Sequence, residues 1–140
     1  MDRSVLHIDL DTFFVSVERK ENSALIGKPV MVGGGSDRAV VSGCSYEARA
    51  FGVHSGMPMK MARMLCGDAV VIRGDMERYS YYSRMVTDII REGAPLYEKS
   101  SIDEFYLDLT GMDRFFGTLK WSHELRERII NETGLPISFG

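Results

Sequence analysis

Apolar residues recur along the chain at two spacings, which predict a mixture of strands and helices. Short apolar runs bounded by glycine, proline or charged residues predict strands at 4–10, 30–34, 38–45, 69–72, 96–101, 104–109 and 136–140. Apolar positions three and four residues apart predict helices. The two longest helices are predicted at 75–92 and 119–133, and shorter ones from Asp11 or Thr12 onward, at 46–52 and at 57–66.

The order of these elements predicts the fold. When the segment from about Thr12 to Gly74 is set aside, the chain reads strand, helix, strand, strand, helix, strand. This order is the split βαβ pattern of a ferredoxin-like sheet. We therefore expect an α+β protein with a small subdomain inserted after the first strand. The predicted last strand reaches Gly140, so we expect the sheet to be incomplete within that strand.

Composition narrows the class of protein. Of 140 residues, 44% are hydrophobic and 26% are charged, which predicts a globular chain with a real core. No apolar run approaches the ~20 residues of a membrane span, and the first residues do not resemble a secretory signal, so we expect a cytoplasmic protein. Cys44 and Cys66 are predicted to be reduced and structural. The net charge of −3 argues against a self-sufficient nucleic-acid binder.

Three acidic residues occupy apolar settings. Asp9 ends the first predicted strand, and Asp103 and Glu104 lie between two later ones. In a ferredoxin-like sheet the first strand and that hairpin are neighbours, so we expect the three acids to converge on one edge. Carboxylates so close repel one another unless a hard divalent cation such as Mg²⁺ binds them. The alternative is a solvated turn, because Asp-Glu is a common turn dipeptide.

Three longer stretches resemble a known family. HIDLDTFFVSVE, SYEARAFGVHSGMP and SSIDEFYLDL follow one another with the order and gaps found in the Y-family translesion DNA polymerases. The resemblance is greatest to the bacterial DNA polymerase IV-like branch, of the ImpB/MucB/SamB type. It implies a catalytic palm made of 1–10 and 75–140, and a fingers subdomain made of 11–74. It also implies template-directed addition of deoxynucleotides to the 3′-hydroxyl of a primer, as part of DNA damage tolerance.

The resemblance assigns the acids to metal binding. It implies two Mg²⁺ ions held by Asp9, Asp103 and Glu104. Asp9 and Asp103 would bridge both ions, and Glu104 would serve the ion near the primer 3′-hydroxyl. The backbone carbonyl of Leu10 would serve the ion that accompanies the nucleoside triphosphate. The protein's own work would then be positioning and charge neutralisation.

The resemblance also assigns a nucleotide site. Tyr46 and Arg49 match the family's triphosphate-binding pair, and a spacing of three places them on one helix face. Phe14 matches the steric gate, a ring that rejects a 2′-hydroxyl. The backbone of Phe13 and the hydroxyl of Ser42 are further candidate contacts. From the residues alone, the alternatives are that Tyr46 and Phe14 lie in the core and that Arg49 is a surface charge. Periodicity does not decide which of Phe13 and Phe14 is buried.

The chain departs from the family pattern in two respects. The family often has Thr-Ala-Asn before the tyrosine, whereas here Gly43, Cys44 and Ser45 occupy those positions, so a hydroxyl is absent at position 43. Phe105 stands where a small residue is common.

The family also continues into thumb and little-finger domains, which make most of the contacts with DNA. We therefore expect little or no polymerase activity from these 140 residues alone, and contact with a sliding clamp only through C-terminal regions.

Three rival functions fit parts of the same pattern. A HAD-type phosphatase also has an apolar strand ending in Asp-x-Asp, but it needs threonine or valine two residues later, where this chain has Phe13. A nucleotide cyclase on a related palm would not explain the YEAR sequence. A non-catalytic polymerase-like module that binds DNA or protein partners would not need all three acids.

Overall fold

The computed structural model describes residues 5–10, 12–34, 36, 38–93, 96–108 and 118–139. The chain forms two compact units. The first unit consists of Met1–Asp11 and Glu77–Gly140, and the second unit consists of Thr12–Met76. Four predicted boundary residues, Ser4, Asp11, Leu109 and Gly140, lie outside the described residues.

Seven strands and five α-helices are present in the described part of the chain. In chain order they are β1 (Val5–Leu10), α1 (Phe13–Glu21), β2 (Val30–Gly33), β3 (Val41–Cys44), α2 (Tyr46–Arg49), α3 (Met59–Leu65), β4 (Val70–Ile72), α4 (Met76–Gly93), β5 (Leu96–Ser101), β6 (Glu104–Asp108), α5 (Thr118–Thr133) and β7 (Ile137–Phe139). A short 3-10 turn (Ser23–Leu25) follows α1. No helix in the ranges described is both long and apolar enough to cross a membrane.

The first unit contains a four-stranded antiparallel sheet in the order β5-β6-β1-β7. With α4 and α5 it gives the predicted ferredoxin-like arrangement, in which the first strand of the chain lies between two later ones. The register places Asp9 opposite Glu104 on one side and opposite Ser138 on the other. The α+β fold class predicted from the sequence is confirmed.

Alternation along the central strands decides which side chains are buried. Ile8, Leu10, Phe105 and Leu107 are almost fully buried and point to one face. The helices contribute further buried residues to the core of this unit, among them Tyr79, Val86, Ile90, Leu125 and Ile129. The residues between the buried ones on β1 and β6 therefore lie on the opposite, accessible face, and Asp9 and Glu104 are among them.

The second unit contains a three-stranded sheet in the order β3-β2-β4. β2 and β3 form the predicted antiparallel hairpin, and β4 is parallel to β2. The free cysteines Cys44 and Cys66 are both buried in its core. β3 begins at Val41 rather than at the predicted Arg38, and Val40 makes only an isolated bridge to Pro58.

One predicted helix of the second unit is shorter than expected. α2 ends at Arg49, and the chain then turns, with the N–H of Phe51 bonded to the carbonyl of Ala48 and that of Gly52 bonded to the carbonyl of Arg49. Gly52 closes this turn at φ 94°, in the left-handed region that favours glycine. The prediction of one helix over 46–52 was therefore wrong in its second half.

Candidate functional site

The three acidic residues singled out in the sequence meet in the first unit. Asp9 lies near the end of β1, Glu104 is the first residue of β6, and Asp103 lies in the tight turn between β5 and β6. One carboxylate oxygen from each residue lies within 4.8 Å of those from the other two, and all three residues are half-buried. The convergence expected from the strand order is therefore present in the structure.

Backbone pairing holds this cluster together. The N–H of Leu10 donates to the carbonyl of Asp103 at 2.9 Å, which extends the β1–β6 pairing into the turn. The side chain of Leu10 is buried in the core, so its backbone is fixed beside the acids. The hydroxyl of Ser101 donates to Oδ1 of Asp103 at 2.9 Å and orients that carboxylate. The register shift between Lys99 and Ser101 accompanies the turn.

One further side chain lies close to the acids. Nε2 of His7 is 3.9 Å from Oε2 of Glu104, and the His7 ring stacks on Tyr106 with centroids 4.8 Å apart. Within the described part of the chain this buried nitrogen has no hydrogen-bond partner. His7 was not predicted, although its position two residues before Asp9 places it on the same strand face.

The acid cluster fits a hard divalent cation. Mg²⁺ binds oxygen ligands at 2.0–2.1 Å, so two ligands of one ion lie roughly 3–4 Å apart. The three oxygens, one from each carboxylate and all within 4.8 Å of one another, come close to that span. Negative charges at such distances repel one another, and a bound cation would remove the repulsion. Asp9, Asp103 and Glu104 are the side chains that can hold it.

Tyr46 and Arg49 occupy α2 in the second unit, and both are exposed. Tyr46 keeps 58% of its surface accessible, so its interpretation as a core residue is wrong. The guanidinium carbon of Arg49 lies 5.1 Å from the centroid of the Tyr46 ring, a cation–π distance. The two side chains therefore form one accessible surface that offers a hydroxyl and a fork of N–H donors.

The structure distinguishes the two phenylalanines that periodicity left open. Phe13 is 3% exposed, whereas Phe14 is half-buried. Their ring centroids are 5.8 Å apart, and the rings are tilted by 47°. Phe13 is therefore a core residue, and Phe14 is the ring available to a ligand. Ser42 lies exposed on β3, next to Gly43, which faces the Phe14 ring.

Two residues missed in the sequence anchor α2. The Oγ of Ser45 accepts hydrogen bonds from the N–H of Ala48 at 3.2 Å and from that of Val30 at 2.9 Å. Arg19 donates to Oε1 of Glu47 at 3.0 Å and to two backbone carbonyls. The serine could have been found as the N-cap preference before a helix. The arginine has no comparable signal, because its acceptors lie up to 28 residues away.

The Arg19 contact also affects the ionisation of Glu47. The pKa of Glu47 is lowered from its usual value, mainly by the hydrogen bond from Arg19 and next by a backbone hydrogen bond. The carboxylate between Tyr46 and Arg49 in the sequence is therefore held in its charged form by a side chain from α1.

Comparisons with known proteins extend over nearly the whole chain. The sequence model described as the impB/mucB/samB family matches residues 8–140. A protein of Treponema denticola named DNA polymerase IV is 48% identical over 140 residues, which are 99% of this chain and 35% of that protein. A Halorhodospira halophila protein of the same name is 44% identical and is covered over 39% of its length.

A solved structure shows the same fold. The structure described as the insertion ternary complex of Dbh DNA polymerase is 29% identical, with a TM-score of 0.90 over 97% of this chain and 41% of that chain. This chain therefore spans between about a third and two fifths of the length of these relatives.

Proposed function

Because this chain belongs to the impB/mucB/samB family, we propose that it supplies the palm and the fingers of a translesion DNA polymerase. The proposed palm, 1–10 and 75–140, and the proposed fingers, 11–74, differ by one or two residues from the limits of the first and second units. The matches to two proteins named DNA polymerase IV support this function. A family match that includes the Asp-x-Asp motif leaves no support for the phosphatase alternative.

The proposed catalytic residues are Asp9, Asp103 and Glu104, which with the Leu10 carbonyl would hold two Mg²⁺ ions. Such ions activate an attacking oxygen and stabilise a leaving one in phosphoryl and nucleotidyl transfer. The chain itself brings three carboxylates within 4.8 Å and fixes them through the strand pairing. The pairing therefore prepares the ligands before any ion or substrate binds.

The proposed nucleotide-binding residues lie in the second unit. Arg49 presents N–H donors suited to phosphate oxygens, and its contact with the Tyr46 ring restricts the orientation of both. The half-buried Phe14 ring would lie against the sugar and exclude a 2′-hydroxyl. Ser42 and the backbone of Phe13 would add contacts to the triphosphate. These roles agree with the exposure of Tyr46 and Arg49.

The proposed partners are primer–template DNA and deoxynucleoside triphosphates, and the proposed location is the cytoplasm. The net charge of −3 gives this chain little attraction for DNA phosphates. We therefore propose that the 140 residues alone extend primers poorly or not at all. Engagement of a sliding clamp, through C-terminal regions of the longer protein, is part of the same proposal.

The convergence of the three carboxylates carries this proposal, and a chimera tests it. This chain would replace the matching segment of the Treponema denticola relative, and primer extension would be measured with Mg²⁺. Asp103→Asn should lower the extension rate by about 10²–10³-fold or more, because one charged ligand is lost. Glu98→Gln removes an exposed acid of the same sheet outside the cluster and should leave the rate unchanged. Equal rates for the Asp103→Asn and unsubstituted chimeras would refute the proposed site.

A further inference from the structure

Gly43 lies directly against the Phe14 ring. A Cβ atom built on Gly43 would lie 3.4 Å from Cδ2, 3.6 Å from Cβ and 3.8 Å from Cγ of Phe14. These are ordinary van der Waals distances, so a methyl group would fit there without a clash. The glycine therefore leaves a methyl-sized space beside a half-buried ring.

The backbone does not require glycine at this position. Gly43 lies in β3, opposite Val32, and its φ is outside the left-handed region in which Gly27, Gly52 and Gly56 lie. Glycine in the interior of a strand weakens the strand, since it adds conformational entropy to the unfolded chain and has no side chain to pack. The backbone conformation therefore gives no reason for glycine at position 43, and the side chain that Gly43 faces is Phe14.

The two phenylalanine rings differ in how they are confined. Phe13 is 3% exposed, and buried side chains in protein interiors are closely packed. Phe14 keeps part of its surface accessible, and Gly43, which faces its ring, presents no Cβ to it. A small displacement of the Phe14 ring toward β3 therefore meets no side chain at Gly43.

We propose that Gly43 sets how far the Phe14 ring can withdraw, and that it is thereby a specificity-determining residue for the sugar of the incoming nucleotide. This inference rests on the proposed gate role of Phe14. A ring that can move toward Gly43 leaves more room for a 2′-hydroxyl. A ring supported by a Cβ at position 43 would hold its place and reject ribonucleotides more strictly.

The first test measures sugar discrimination in the chimera as the ratio of kcat/KM for a deoxynucleotide to that for the matching ribonucleotide. Gly43→Ala should raise this ratio about 3–10-fold, since a methyl group in a pocket is worth 10-fold or somewhat more in favourable cases. Gly67→Ala is the matched control, because Gly67 is exposed, and its added Cβ would meet only the Arg63 carbonyl oxygen at 3.8 Å. Phe14→Ala should lower the ratio by about 10-fold or more.

The outcomes separate this inference from the function on which it rests. If Phe14→Ala leaves the ratio unchanged, the gate role and this inference both fail. If Phe14→Ala lowers the ratio while Gly43→Ala matches Gly67→Ala, only this inference fails. An equal rise in KM for both nucleotides in Gly43→Ala would mean that the glycine admits a phosphate to the backbone, and would also overturn it.

A second measurement uses the 140-residue chain and needs no catalysis. The flip rate of the Phe14 ring can be measured by NMR with selectively labelled phenylalanine. Gly43→Ala should slow this ring several-fold, whereas Gly67→Ala should not. An unchanged flip rate in Gly43→Ala would overturn the inference whatever the activity of the chimera.

Discussion

The two units hold their candidate site residues by different means. In the first unit the acids lie on paired strands and in the turn that joins two of them, and backbone hydrogen bonds fix their positions. In the second unit Tyr46 and Arg49 lie on a helix of four residues. A single helical turn is far too short to be stable by itself, because the conformational entropy lost in forming it exceeds the stabilisation from its hydrogen bonds.

Side chains supply what the short helix lacks. Ser45 caps α2 and ties it to β2, and Arg19 ties Glu47 of α2 to α1 and to the carbonyls of Leu25 and Lys28. A site held by backbone pairing should tolerate side-chain changes with its fold intact. A site held by anchoring side chains should lose stability when an anchor is removed.

Removal of the Ser45 hydroxyl should have the largest effect on stability. Ser45 is fully buried, and its Oγ accepts from two backbone N–H groups, those of Val30 and Ala48. Ser45→Ala leaves both donors without this acceptor, one of them in a buried strand. We expect the free energy of unfolding in urea to fall by about 1–3 kcal/mol.

The matched control for this substitution is Ser55→Ala, which removes an exposed hydroxyl in the same unit. It should change the free energy of unfolding by no more than about 0.5 kcal/mol. If the two variants are equally stable, α2 does not depend on its cap, and the contrast between the units is wrong.

The elements that set the acid cluster could be predicted from the sequence. Alternating apolar residues fix which face of a strand is buried, so Asp9 and Glu104 had to share the other face once their strands paired. The ferredoxin-like order predicts that the two strands are direct neighbours in the sheet, and the hairpin brings Asp103 to the same place. Pattern and topology were sufficient here because the backbone does the positioning.

The details of the second unit could not be predicted in the same way. The end of α2 at Arg49 depends on the positive φ of Gly52, and the spacing of apolar residues does not report it. The burial of Phe13 rather than Phe14 depends on packing that adjacent aromatic residues do not reveal. The acceptors of Arg19 are mostly backbone carbonyls, which every residue carries, so no sequence pattern distinguishes them.

Neutralisation of one acid should weaken Mg²⁺ binding in the first unit without lowering its free energy of unfolding. Asp103→Asn removes one of three neighbouring negative charges and keeps the oxygen that accepts from Ser101. Without metal, we expect the free energy of unfolding to stay the same or to rise by about 1 kcal/mol, as repulsion is relieved. Added Mg²⁺ should stabilise the unsubstituted chain more than the variant, because a ligand that binds only the folded state shifts unfolding by mass action.

The urea midpoint with and without MgCl₂ measures both effects, and NaCl at equal ionic strength controls for screening. A marked loss of stability in Asp103→Asn without metal would mean that this site is held by its side chains after all. Equal stabilisation of both chains by Mg²⁺ would mean that Asp103 is not a ligand.

The ion pair between Arg19 and Glu47 should make the smallest contribution to the free energy of unfolding. Its contribution can be measured from the dependence of stability on pH. The folded state lowers the pKa of Glu47 from its usual value of 4.5, chiefly through the Arg19 hydrogen bond. A lowered folded-state pKa contributes stability that is present above the unfolded pKa and is lost as the pH falls through the folded one. Because about a third of the Glu47 side chain is exposed, we expect no more than ~1 kcal/mol.

Urea unfolding of the unsubstituted chain and of Glu47→Gln at about pH 7 and about pH 3 measures this contribution. The difference in unfolding free energy should favour the unsubstituted chain near neutrality and shrink once the pH falls below the usual value of 4.5. Asp68→Asn, which removes an exposed acid of the same unit, should show no such trend. A difference that stays constant across this range would show that Arg19 holds α2 through geometry and its carbonyl acceptors, with no contribution from the charge of Glu47.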